Sequence, residues 1–269
     1  MKQLAAIFGC ILLSAGLMAQ RTPNELDPEK LYREGYQQYQ QSLYGAAQAL
    51  FKRYQEIATS SAHHNLSDAF YYEAACATEL FQNNALYLLD QFRNRYPESP
   101  KIAMSWLQTG RIHFREKEYQ EAEMALSKAD PYLLNKEDFS EYYFKLGYSH
   151  YMQGNSKDAL LAFDQMNERE SKWQIPALYY TGHIYYENED FEKALQYFKR
   201  VEYAKAFARL VPLYIVQIYY RQGRYEQVAT YGSPLADTLK GRHRDPVRRI
   251  LAESWFRLKN YDKALEVYQ

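Results

Sequence analysis

The sequence predicts an all-α protein, a superhelical solenoid of stacked antiparallel helix pairs. Apolar side chains recur at the three- and four-residue steps that place them on one face of a helix. Small residues recur along the chain at a period of 34 to 38 residues. Polar and glycine-containing turns, such as Gly154-Asn155 and Asn188-Glu189-Asp190, separate the two helices of a pair. One pair cannot bury its apolar face alone, so the pairs must stack on their neighbours.

The strongest regularity is a small residue on the second helix of each predicted pair. It occurs at Ala47, Ala85, Ala122, Ala159, Ala194, Val228 and Ala264. Twelve residues earlier, on the first helix, stand Gly35, Gly110, Gly147, Gly182, Val216 and Ala252. The second copy differs, because Ala74 and Ala75 replace the expected glycine. Small residues at both positions predict a close approach of the two helices beside large side chains, including the one four residues after the alanine (Phe163 or Phe198, for example).

The stretch Ile175–Lys205 is the clearest copy of the unit. Leu178, Gly182 and Tyr185 share one face of its first helix, and Ala194 and Phe198 lie on its second helix. This order of residues resembles the tetratricopeptide repeat, which has W-x2-L-G-x2-Y followed by A-x3-F and then proline. The resemblance extends from Leu31 to Gln269, which gives about seven units over residues 31–269. It implies a right-handed array whose first helices line a concave, partner-binding face.

The residues that precede the repeats resemble an export signal. Lys2 is followed by an apolar run from Leu4 to Leu17, and Ala19 precedes Gln20, which is the pattern of a cleavable secretory signal peptide over residues 1–19. An uncleaved membrane anchor and lipidation at Cys10 are alternatives. Residues 20–30 form a polar lead-in. The segment from Phe92 to Pro100 also resembles repeats of periplasmic proteins in outer-membrane assembly and Tol–Pal coordination. We therefore expect a periplasmic or outer-membrane-associated protein.

Composition and motifs exclude several classes of function. Lys and Arg total 33, as do Asp and Glu, so the formal net charge is zero, and a basic footprint for nucleic acid is absent. The sequence lacks a phosphate-binding glycine loop, a G-x-S-x-G or H-E-x-x-H motif and zinc-spaced cysteines. We therefore expect no enzyme activity, no cofactor and no metal. His113 and His150 occupy the position of Tyr185 in a later unit, which favours packing over metal binding.

Three local features complete the sequence predictions. Ser67 and Ser140 are predicted to cap the first helices of their units. Gly232, Ser233 and Pro234 predict an early end to the second helix of the sixth unit. The seventh unit stops after two turns of its second helix without a polar capping element, so we expect the sequence to be a fragment of a longer protein. The basic stretch from Lys240 to Arg249 is interpreted as a solvated connection, or else as a site for an acidic segment or an anionic lipid surface.

The resemblance to the tetratricopeptide repeat assigns positions to the binding groove. His183 follows Gly182 and is expected to point toward the inner surface, and an aromatic residue recurs four residues after most of the small first-helix positions. Such aromatics are favoured binding anchors, although plain packing between helices is an equal alternative for each. The complete candidate set is Tyr36, Tyr39, Arg111, Phe114, Tyr148, Tyr151, Tyr179, His183, Tyr186, Gln217, Tyr220, Glu253 and Phe256.

The predicted function is that of a non-catalytic adaptor of the bacterial cell envelope. The concave groove implied by the family resemblance would bind segments of other proteins or peptides, and association with envelope membrane proteins is one such role. The alternative is the extracytoplasmic sensor region of a larger membrane signalling protein, with its membrane span and catalytic part beyond Gln269.

Overall fold

The computed structural model describes residues 27–58, 64–166, 170–238 and 244–268. The chain divides into two compact units, Met1–Gln108 and Thr109–Gln269. The described residues contain fourteen α-helices and a short 3-10 helix at Pro131–Leu133. The predicted signal peptide, residues 1–19, and Cys10 lie outside the described residues, as do residues 240–243 of the basic stretch.

The helices follow one another with short connections. The first unit contains α1 (Pro28–Gln40), α2 (Tyr44–Ile57), α3 (Leu66–Glu79) and α4 (Ala85–Arg95). The boundary between the units falls within α5 (Ile102–Glu116). The second unit continues with α6 (Tyr119–Leu126), α7 (Lys136–Met152), α8 (Ser156–Asp164), α9 (Gln174–Glu187), α10 (Phe191–Val201), α11 (Val211–Arg221), α12 (Tyr225–Thr238), α13 (Arg244–Arg257) and α14 (Tyr261–Tyr268).

The predicted close approach is present in the four pairs whose first helix carries Gly35, Gly110, Gly147 or Gly182. A Cβ built on Gly182 of α9 would lie 2.9 Å from Cδ1 of Phe198 on α10, a separation too short for two carbon atoms that do not share a bond. Gly35 faces Phe51 in the first unit with the same spacing of sixteen residues. Hydrogen in place of a side chain therefore lets the aromatic ring lie against the backbone of the first helix. These fully buried rings and the buried alanines beside them form the core of the pairs.

Both predicted serine caps are wrong. Helix α7 begins one turn before Ser140, because Asn135 Oδ1 accepts hydrogen bonds from the backbone N–H groups of Glu137 and Asp138. Ser140 lies inside the helix and donates to the Lys136 carbonyl. Ser67 lies inside α3, where its hydroxyl contacts Ser99. An amide oxygen at the cap position satisfies two N–H groups that would otherwise lack partners.

The predicted early end of α12, the second helix of the sixth repeat, is also wrong. This helix continues through Pro234 to Thr238. Proline removes one hydrogen bond, the one that the Thr230 carbonyl would accept. Thr230 is exposed, so water can hydrate that carbonyl. Ser233 donates its hydroxyl proton to the Ala229 carbonyl, which keeps this turn hydrogen-bonded. The cost of the proline is thereby low enough for the helix to persist.

The fold class predicted from the sequence, paired helices without a sheet, is confirmed for the part of the chain that the structure describes. Helix α1 starts at Pro28, and the side chain of Asp27 caps it. Among the described residues, no helix is long and apolar enough to cross a membrane.

Candidate functional site

In the part of the chain from Thr109 to Gln269, the first helices of successive helix pairs are joined by a row of aromatic and hydrogen-bonding side chains. His183 on α9 is the centre of this row. Its Nδ1 lies 3.1 Å from the hydroxyl of Tyr151 on α7, and its Nε2 lies 3.1 Å from the hydroxyl of Tyr214 on α11. Tyr186, one turn along α9, donates its hydroxyl proton to Oε1 of Gln217 on α11 at 3.0 Å. We call Tyr148, Tyr151, His183, Tyr186, Tyr214 and Gln217 the tyrosine row.

The rings of the row pack edge to face. Tyr148 meets Tyr180 with ring centroids 4.8 Å apart and an interplanar angle of 80°. Tyr186 meets Tyr214 at 5.0 Å. Such pairs stabilise the contact beyond the area they bury. All members of the row are half-buried, so each one supports the packing and still presents part of its surface to solvent.

Burial raises the pKa of Tyr151 to about 12, and the negative charge of Glu187 adds to this effect. The pKa values of Tyr148 and Tyr186 are raised as well, in both cases mainly by burial. The three hydroxyls are therefore protonated at neutral pH. A protonated hydroxyl can donate one hydrogen bond and accept another, which suits the row to polar groups of a peptide backbone.

A charged cluster lies beside the row, between α5 and α7. Arg111 binds Glu141 through two nitrogens, with Nε–Oε1 and Nη2–Oε2 distances of 2.8 Å, and Asp138 through Nη2 at 2.7 Å. The ammonium of Lys145 lies 3.6 Å from Glu141 and 4.1 Å from the ring centre of Phe114. Two cations and two carboxylates thus balance in a space where Glu141 and Lys145 are buried.

The two buried charges in this cluster titrate differently. Burial alone would raise the pKa of Glu141, but the hydrogen bonds and charge of Arg111 outweigh it and hold that pKa below its usual range. Burial lowers the pKa of Lys145, and the attraction of Glu141 offsets this only in part. Arg111 is therefore engaged within the chain, so that this predicted groove residue serves the packing of α5 against α7.

The remaining candidate residues divide by accessibility. Tyr179 is 7% exposed and stacks on Phe207 at 4.2 Å, so it offers little surface to a partner. Phe256 on α13 is 54% exposed beside Tyr261, and Glu253 binds Arg257 on the same helix. Tyr220 packs on Tyr225. In the first unit, Tyr36 and Tyr39 both contact Tyr72.

Sequence reasoning missed residues that complete the site. Tyr214 binds His183 but lies outside the expected groove positions, and Tyr180 packs against Tyr148. Asp138 and Glu141 neutralise Arg111, and their spacing from it, 27 and 30 residues, is shorter than the repeat. A sequence signal did exist for the pair of acids: they lie three residues apart on one face of a helix.

His113 and His150, which the sequence assigned to packing, both lie beside acids. His113 Nδ1 lies 2.7 Å from Glu118. His150 Nδ1 lies 3.5 Å from Oε2 of Glu123 and forms no hydrogen bond within the described residues. Arg248 of the basic stretch donates two hydrogen bonds to the Val267 carbonyl near the end of α14. These bonds connect α13 to α14.

Comparisons with known proteins agree with this architecture. Residues 144–209 match the family model TPR_16, a tetratricopeptide repeat. The chain is similar to the structure from the functional characterization of PilF of Pseudomonas aeruginosa, with 16% identity and a TM-score of 0.59 over 82% of this chain and 96% of that one. A tetratricopeptide repeat protein from Parabacteroides merdae is similar at 10% identity and a TM-score of 0.52, over 90% of each chain.

A further similar structure is the apo form of the quorum sensor NprR from B. thuringiensis. It has 14% identity and a TM-score of 0.52, over 90% of this chain and 75% of that one. At identities this low, the structural similarity establishes a shared fold and nothing more. Among curated proteins, none matches the sequence of this chain.

Proposed function

Because the chain carries tetratricopeptide repeats, we propose that it is a non-catalytic scaffold that binds a segment of another protein on the tyrosine row. The observation that supports this proposal is the continuity of the row over three successive first helices, from Tyr151 through His183 to Tyr214. Tyrosine offers a broad apolar ring and a hydroxyl with few rotatable bonds, and for this reason it is enriched among residues that dominate binding energy.

The row fits an extended, nearly neutral peptide. Its charged neighbours on the exposed side include Glu187, 3.5 Å from His183, and Arg221, whose guanidinium is 6.0 Å from the ring centre of Tyr186 and pairs with Glu189. Charges of both signs beside the row favour neither a strongly acidic nor a strongly basic partner. Ring faces and hydroxyls along one line suit a backbone with free carbonyl and amide groups.

The proposed place of action is the bacterial cell envelope, where the protein would connect other envelope proteins, including membrane proteins. The support is the sequence of residues 1–19, with a basic start, an apolar run and a small residue before Gln20. The intact mass of the protein recovered from its producing cells tests this point. Export predicts a mature chain that begins at Gln20, whereas a full-length chain in the cytoplasmic fraction would contradict it.

Site-specific cross-linking tests the binding site. We would replace Tyr186 with the photoreactive residue p-benzoylphenylalanine in the cells that produce the protein. The matched control is the same replacement at Tyr203, which is 87% exposed and lies outside the row between α10 and α11. Light-dependent adducts at position 186 but not at position 203 are expected. Equal adducts at both positions, or none at position 186, would contradict binding on the row.

A further inference from the structure

Three metal-ligating side chains converge where α5 meets α6, away from the tyrosine row. His113, Glu116 and Glu118 each bring one ligand atom, and these three atoms lie within 4.8 Å of one another. His113 is half-buried, while the two glutamates are exposed. A ring nitrogen and two carboxylate oxygens form a donor set that divalent transition metals such as Zn²⁺ accept.

The backbone fixes the three residues in this arrangement. His113 and Glu116 lie three residues apart in the last turn of α5, so they share one face of the helix. Lys117 then adopts a left-handed conformation with φ of 64°, which reverses the chain. The N–H of Glu118 donates to the His113 carbonyl at 2.9 Å. Its carboxylate thereby returns to within 2.7 Å of His113 Nδ1.

The repeat architecture does not require these acids, as the next helix pair demonstrates. Gly110 and Gly147 are equivalent and lie 37 residues apart in the sequence. The same offset takes His113 to His150, and it takes the two glutamates to Gln153 and Asn155. The following pair keeps the histidine and replaces both carboxylates with neutral amides. The turn therefore forms equally well without two negative charges.

The three side chains together carry a net negative charge. Arg115 and Lys117 alternate with the two glutamates in the sequence, but in the described part of the chain no cationic side chain forms an ion pair with Glu116, and Glu118 pairs with His113. Two carboxylates beside one imidazole carry an excess of negative charge whether or not the imidazole is protonated. A bound cation would relieve that repulsion.

We propose that His113, Glu116 and Glu118 form a site for one divalent transition-metal ion of the zinc type. Nδ1 is the ligating nitrogen, since it is the atom that faces Glu118. The metal replaces the proton that His113 and Glu118 share, so binding releases a proton to solvent when that nitrogen carries one. Three protein ligands leave one tetrahedral position for water or for a side chain of a bound partner. This inference revises the packing role that the sequence assigned to His113.

Calorimetric titration of the metal-stripped full chain with Zn²⁺ tests the site. One ion per chain is expected to bind to the wild type. The exposed substitutions Glu116→Gln and Glu118→Gln should each weaken binding about tenfold or more, because even the loss of an outer-shell partner of a metal ligand costs 10- to 100-fold. Glu121→Gln is the matched control, an exposed acid in the first turn of α6 that is outside the trio, and it should leave the affinity unchanged.

Three results would overturn the proposal: no binding to the wild type, equal binding by all three glutamine variants, or equal weakening by Glu121→Gln. Nuclear magnetic resonance of the imidazole side chains gives a readout independent of affinity. Zn²⁺ should shift the His113 ring signals at one equivalent and leave those of His150 in place. A shift of the His150 signals with those of His113 unchanged would contradict the assignment.

Discussion

A Cβ placed on Gly147 would lie 2.7 Å from both Cδ1 and Cε1 of Phe163, sixteen residues later on the second helix of the same pair. The Phe163 side chain is 2% exposed. The Cβ of Ala162 would lie 3.2 Å from the Cβ added at Gly147 and closes the space beside the ring. The ring therefore cannot move away to admit a methyl group. Gly147 is the residue that sets the distance between α7 and α8.

Gly147→Ala is expected to destabilise the second unit by about 1–3 kcal/mol, the range for forcing extra volume into a packed core. Urea unfolding followed by circular dichroism measures the change. The control is Gly45→Ala in α2, where nothing lies within 4 Å of the added Cβ. There the same substitution should stabilise by about 0.5–1 kcal/mol, because alanine loses less entropy in a helix. A neutral or stabilising effect at Gly147 would refute the packing account.

The sequence predicts the contact between Gly147 and Phe163, because both residues belong to one helix pair and their spacing of sixteen residues recurs in other pairs. Contacts between pairs were harder to predict. Arg111 reaches Glu141, and His183 reaches Tyr214, only because of how each first helix is rotated about its axis relative to the next. No single residue in the repeat encodes that rotation. The candidate groove therefore included Tyr179, which is covered by Phe207, and omitted Tyr214.

The Arg111–Glu141 pair predicts an acid-sensitive stability. Since the pKa of Glu141 is lowered in the folded protein, the unfolded chain takes up the proton first as pH falls. The contribution of ionised Glu141 to the free energy of unfolding is complete above the ordinary glutamate pKa of about 4.3. It is lost as the pH falls through the lower pKa of Glu141 in the folded protein. Arg111→Met should cost about 3 kcal/mol at pH 7, the low end for breaking a buried pair, because the Arg111 side chain is 19% exposed.

Urea midpoints of wild type and Arg111→Met between pH 6 and 3 are the measurement. The wild type should lose more stability on the acid side than the variant does. Arg53→Met is the control for loss of an arginine, since its pair with Glu56 has both side chains more than half exposed, and such surface pairs contribute little. Parallel pH profiles for wild type and Arg111→Met would exclude the pair as the cause.

Tyr151 predicts the opposite behaviour on the alkaline side. Its pKa is raised to about 12, whereas an unfolded tyrosine ionises near 10. The unfolded chain therefore releases its proton first as pH rises, and the contribution of this hydroxyl to stability is lost progressively between about pH 10 and 12. Tyr151→Phe should cost about 1 kcal/mol at neutral pH through the lost bond to His183.

Stability measured from pH 8 to 11 should decline less steeply in Tyr151→Phe than in the wild type. Absorbance at 295 nm, which reports tyrosinate, should show one fewer late-titrating tyrosine in the variant. A variant with an unchanged alkaline slope would place Tyr151 outside the hydrogen-bonded row.

The binding affinity of the partner recovered by cross-linking at position 186 tests the central claim most directly. Calorimetry would compare the wild type, Tyr148→Ala/Tyr186→Ala in the row, and Tyr132→Ala/Tyr203→Ala as an exposed control pair outside it. The row variant should bind at least about tenfold more weakly, a loss of 1.4 kcal/mol, with its helicity intact, and the control pair should bind as the wild type does. Unchanged affinity in a folded row variant, or loss of folding in that variant, would contradict partner binding by the tyrosine row.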